Sequence, residues 1–224
     1  MISATGAVLF YALIAAVSFV ALTAVLVVIR SERPRTNGIA FLIGFVCGTT
    51  IAAVLGLLLG QVAVDRLSSH QTIQGVLALL VGLTLVGAGL AERHRPAPRG
   101  AETGRTSAMA AKLRDVGPGT ALSIAGLLGF GGPKRLILAF LAMASVSNAD
   151  LGAVESLTLL VLYVAVATLL VSVPVGIVIV GGKRAIAAVD RGESWLATNS
   201  RGLRVWVAVG LGAALVVDGV LRLF

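Results

Sequence analysis

The residues best placed to do chemistry form one stretch, Gly129-Phe130-Gly131-Gly132-Pro133-Lys134-Arg135, inside an apolar run that reaches from 119 to 147. Proline removes a helix hydrogen bond and disfavours helical geometry at the residue before it, here Gly132, and the glycines weaken the turn ahead. The run therefore predicts two half-helices meeting at a break. The second begins near Pro133, so its free amides and the positive end of its dipole face whatever occupies the break. Lys134 and Arg135 add two cations there. That combination suits an oxyanion such as a phosphate, sulfate or carboxylate head group. The alternative is a plain kink whose two cations snorkel to the cytoplasmic surface.

Nothing comparable points to catalysis. His70 and His94 fall in segments on opposite expected sides of the membrane, and the sequence holds neither an HExxH motif nor paired carboxylates within its apolar runs. No metal, no cofactor and no enzymatic activity are expected. Cys47 is the single cysteine, which excludes an internal disulfide or a paired-thiol redox site. The hydroxyls of Ser18, Ser123, Ser145 and Ser172 read as helix-packing groups bonded to their own backbone.

The elements that must position the break follow from composition. Of 224 residues, 58% are hydrophobic and 12% charged, and the mean hydropathy is +1.01. A soluble domain carries roughly 25% charged residues, so this surface must face lipid. Apolar runs cover 6–29, 38–64, 72–91, 119–147, 153–181 and 203–222, and each reaches the roughly 20 residues that span a bilayer as a helix. The first run lacks a basic leader and a clear cleavage site and is expected to be retained. The expected fold is an all-α integral membrane protein of six transmembrane helices. Residues 1–91 and 119–224 would be two three-helix halves, joined by a polar cytoplasmic linker at 92–118. Halves so joined enter the membrane from opposite sides, as in a 3+3 inverted repeat with a broken fourth helix.

The net charge of +8 sits in short segments between the apolar runs, the pattern of membrane topology rather than of a nucleic-acid-binding face. Lys and Arg number thirteen in the segments 30–37, 92–118 and 182–202, against two on the alternate side, Arg66 and Arg222. Both termini are therefore expected outside, with the three rich segments in the cytoplasm. Gly44, Gly48, Gly56 and Gly60 recur at spacings that let helices approach closely. Such faces suit a homodimer or internal packing equally.

Several stretches carry a resemblance. GGPKRLILAFLAM (131–143) occupies the place of an Asn-Pro-Lys signature, with Pro133 and Lys134 matching; VSVPVG (171–176) places Pro174 at a fifth-helix proline; RSERPRTNGIAFLIGFVCG (30–48) and WLATN (195–199) fit a first cytoplasmic loop and a C-terminal ending. On these the chain resembles the GAP or Sap group, the peptidoglycolipid- and sulfolipid-addressing proteins of the LysE exporter superfamily. The signature asparagine is Gly132 here, and a Ser-Pro break in the family's first helix reads Ser18-Phe19, so the first helix is expected to be continuous. The resemblance implies a transporter in the plasma (inner) membrane exporting an anionic envelope lipid or glycolipid. Its cargo contacts would fall among Ser18, Gly131, Gly132, Pro133, Lys134, Arg135 and Pro174. Membrane lipids and the lipid substrate are its expected partners. Two alternatives stay open: an exporter of a small solute, and a non-transporting scaffold within a larger lipid-export or cell-wall assembly.

Overall fold

The structure, a computed structural model, describes residues 2–31, 33–66, 70–94, 117–149 and 151–223. The described elements are helical: α1 (Ile2–Ala16), α2 (Phe19–Ile29), α3 (Pro34–Arg66), α4 (His70–His94), α5 (Pro118–Phe130), α6 (Pro133–Ser147) and α7 (Ala153–Leu223). Most of the 92–118 linker lies outside the described residues. Helices are the expected solution in lipid, because each satisfies its own backbone polar groups.

Two helical stretches, Pro34–Gln61 and Ala153–Gly181, are each long and apolar enough to cross a membrane. Two bent pairs bring the count to four if each pair is one span: the halves of the first run meet at 59°, those of the fourth at 60°. Gly75–Ala91 and Val205–Leu221 are shorter apolar helices. Two sequence expectations change. The first run is not continuous but breaks at Val17-Ser18. The 182–202 segment, read as a loop, has a helical backbone inside α7, as its Ala, Arg, Glu and Leu content favours.

The backbone clusters into two compact units, Met1–Val64 with Gly104–Val189 and Asp65–Thr103 with Asp190–Phe224. Each takes residues from both halves of the sequence. In the first unit, α1 packs on α6 and α2 touches α5, so the two bent spans exchange halves. Behind α2 and α5 lies an apolar cluster that includes Val25 and Ile29 of α2, Phe41 and Phe45 of α3, Ala121 and Ala125 of α5, and Val171, Val175 and Val178 of α7.

Large aliphatic side chains remain exposed on the other helices, among them Leu13, Val20, Leu58, Leu83, Leu127, Leu157 and Leu221, whereas no large hydrophobic of α6 is exposed. α6 is thus the most enclosed of the described helices. The glycines of α3 form its seam. A Cβ at Gly44 or Gly48 would run into the backbone of α5 at Leu122 or Gly126, and one at Gly56 or Gly60 would stand 2.9–3.0 Å from the backbone of α6 at Ala139 or Ala144. One glycine ridge thus lies along both halves of the broken fourth run. Helices in lipid associate through such close van der Waals packing, since burial from lipid supplies little hydrophobic drive.

In the second unit, α4 runs antiparallel to the end of α7. A Cβ at Gly82 would meet the Gly212 carbonyl at 2.8 Å, and one at Gly212 the Gly82 carbonyl at the same distance. Gly82 of the third run and Gly212 of the sixth thus form a mutual backbone crossing.

Candidate functional site

The break in the fourth run is built by three residues. Gly131 closes α5, its N–H donating to the Leu127 carbonyl at 2.6 Å. Gly132 then turns the chain at φ 103°, ψ 136°, a region that glycine alone enters without strain. Pro133 opens α6 at its first position, where the missing N–H costs nothing and the fixed φ suits the helix. The Gly132 carbonyl accepts from the amides of Arg135 and Leu136 at 3.1 and 3.3 Å. Replacing Gly132 with alanine forces a Cβ onto a left-handed residue and is expected to cost about 1–3 kcal/mol. A lowered thermal unfolding midpoint in detergent, with helix content kept, checks it. Because the surroundings leave open space at that Cβ, the loss comes from backbone strain alone.

The break in the first run has no proline or glycine. Ser18 is extended (φ −136°, ψ 101°) and caps α2, its Oγ accepting from the Ala21 N–H at 3.4 Å. What holds this break open comes from the opposite helix. Lys134 Nζ donates to the Val17 carbonyl at 3.3 Å, and the Arg135 guanidinium donates to the Ala15 carbonyl at 3.0 Å. In an unbroken helix those carbonyls would accept from Ala21 and Phe19, four residues on. The two cations take the acceptors that continuity would need.

The electrostatics favour this exchange. Lys134 and Arg135 stand at the start of their own helix, where cations are disfavoured, and find compensation at the end of α1, where unpaired carbonyls and the negative end of the dipole gather. Arg135 is buried and also lies over the Phe45 ring, 4.6 Å from its centroid; Tyr163 of α7 is within its electrostatic reach. Lys134 is only half-buried, beside the exposed Gly132 and Pro133. Two half-helix starts, two half-helix ends and two cations therefore meet at the paired breaks. Among the described residues no group of three or more His, Cys, Asp or Glu side chains could hold a metal ion.

A family model described as Sap, sulfolipid-1-addressing protein, matches residues 8–221. The chain belongs to that family. No curated protein and no solved structure matches it. The match covers both broken runs, so this Sap-family chain is a membrane-embedded protein whose paired breaks lie inside the family's own span.

Of the residues read from the sequence, Ser18, Gly131, Gly132, Pro133, Lys134 and Arg135 meet at the paired breaks. Pro174 does not join them through any of these contacts. It lies inside α7, eleven residues from Tyr163, or about 16 Å along a helix. Its neighbour Val175 packs instead towards Gly38 at the start of α3. Sequence reasoning missed the Ala15 and Val17 carbonyls, because backbone acceptors carry no residue signature, and Phe45, whose type alone marks only core.

Proposed function

We propose that this chain moves an anionic envelope lipid or glycolipid outward across the plasma membrane, with the paired breaks as the seat for its head group. The observation that carries the reading is the meeting of Lys134 and Arg135 with the broken end of α1. Charged groups within spans are costly enough to be functional by default. The family is described by the addressing of a sulfolipid, an amphiphile whose acidic head matches those cations. The exposure of Gly132 and Pro133 beside Lys134 offers a way in, which a scaffold would not need. Exporting a small cation is disfavoured, since hard cations need several oxygen ligands and the apolar runs of the sequence hold two carboxylates, Glu155 and Asp218, in separate runs.

The proposed architecture is six spans in two inverted halves, with both termini outside and no catalytic step. The exchange of half-helices between the two broken runs, and the reciprocal crossing at Gly82 and Gly212, both fit a pseudo-two-fold relation between helices one and four and between three and six.

The test is transbilayer movement in proteoliposomes. A labelled sulfated glycolipid should cross faster with protein than without, and faster than its neutral parent. Lys134→Ala should slow it about tenfold, the loss of roughly one charge-assisted contact, and Lys134→Glu should abolish it. Wild-type rates in well-folded Lys134 variants would remove this site.

A further inference from the structure

The two cations at the break are held differently, and the difference assigns them different tasks. Arg135 has partners on two helices, the Ala15 carbonyl of α1 and the Phe45 ring of α3, and it is buried. A guanidinium held by a carbonyl and a ring face is fixed in plane and in reach. Among the described residues Lys134 has one bond, at 3.3 Å, from a half-buried ammonium next to exposed backbone. An ammonium on a flexible four-carbon stem can turn to a new acceptor without disturbing its helix.

The acceptor that Lys134 would leave behind is not neutral in its consequences. The Val17 carbonyl is the group an unbroken first run would pair with the Ala21 amide. In the bent form that amide is left with the Ser18 hydroxyl at 3.4 Å, a long bond compared with the usual N–H···O distance. A carbonyl in apolar surroundings that loses its donor must find another, and the Ala21 amide is the donor already aimed along the helix. The Ala15 carbonyl, kept by Arg135, cannot do the same for Phe19.

Resting on the export reading above, we propose that the Lys134–Val17 bond is a latch released by cargo. The anionic head group takes the Lys134 ammonium, the Val17 carbonyl recaptures the Ala21 amide, and α2 lengthens by one residue towards α1 while Arg135 keeps α6 braced to α1. Occupancy of the fourth-run break is thereby written into the geometry of the first-run break. An oxyanion is the ligand class, whether carried on a lipid or free in solution.

Amide exchange at Ala21, resolved to the single residue in full-length protein reconstituted in neutral vesicles, reads the latch directly. Sulfated galactosylceramide in the vesicles should slow Ala21 exchange about fivefold, the factor for one ordinary hydrogen bond, and neutral galactosylceramide should not. Lys134→Ala should show the slow exchange without any sulfated lipid. Lys134→Gln keeps a donor for Val17 without the charge, so it should hold the fast wild-type rate and ignore the sulfated lipid. A response to sodium sulfate as well supports the latch and makes the free oxyanion sufficient.

If the wild type retains the sulfated lipid but Ala21 exchange is unchanged or faster, the latch is wrong and the export reading stands. If Lys134→Ala binds the lipid as tightly as wild type, the latch is wrong and Lys134 is no part of the head-group seat. If the wild type does not distinguish sulfated from neutral lipid, the export reading fails and takes the latch with it.

Discussion

Gly48→Leu is expected to abolish recovery of folded, monodisperse protein. A Cβ at that position falls on the Gly126 carbonyl and within 2.7 Å of the Phe130 amide nitrogen, both backbone atoms of α5. Side-chain conflicts can be relieved by a change of rotamer; backbone conflicts require the two helices to part. Overpacking costs about 1–3 kcal/mol where side chains can adjust, and here they cannot, so alanine should sit at the top of that range and leucine beyond it. The damage also spreads, because the same ridge continues through Gly56 and Gly60 against α6. Parting α3 from α5 loosens the wall that holds both half-helices in place. The control is Gly87→Leu: this glycine is exposed, with nothing within 4 Å of its Cβ, and it should give wild-type yield and profile on size-exclusion chromatography. Equal behaviour of the two variants would mean that α3 and α5 do not meet at their backbones.

The spacing of those glycines was visible in the sequence, but not what they face. A ridge of small residues states that something approaches closely, and only the fold decides whether that is a second copy or, as here, α5 and α6 of the same chain. The break at 131–133 was legible for a different reason: Gly131, Gly132 and Pro133 act through local backbone restrictions, which need no partner. The break at Val17-Ser18 was not. Phe19 keeps its amide and Ser18 is a weak breaker, so local preference favours a continuous helix. That preference loses to two donors reaching in from a segment more than a hundred residues away. The same blindness hides the true neighbours of Lys134 and Arg135. Their types suggested an external anion or the membrane surface as the partner, yet the structure gives them main-chain carbonyls, and the anion becomes a competitor for a bond already made. Pro174 shows the converse: a proline as visible as Pro133 lies in continuous helix, without the adjacent glycines that let the chain turn.

Arg135→Ala is the substitution expected to lower stability most among the polar residues of the site. It strands the buried Ala15 carbonyl, a loss of about 1–3 kcal/mol, and removes a desolvated cation–ring contact worth about 2 kcal/mol. Against this stands the cost of keeping a cation in a membrane protein, roughly 2.5–3.5 kcal/mol at a helix centre on insertion scales. That cost does not favour the variant as it first suggests. It is borne by α6 inserted alone, where the arginine faces lipid or strains to leave it, and assembly with α1 and α3 is what relieves it. Alanine erases the penalty from the separated helices and with it part of the drive to assemble, so both effects carry the same sign. Arg135→Lys keeps the charge and one donor but loses the flat face over Phe45, and should fall between. Lys134→Ala removes a single longer bond from a half-buried group and should cost least. Thermal unfolding in detergent should rank midpoints as wild type, Lys134→Ala, Arg135→Lys, Arg135→Ala from highest to lowest. An Arg135→Ala protein as stable as wild type would mean that Arg135 braces nothing, and that the bend of the first run is set elsewhere.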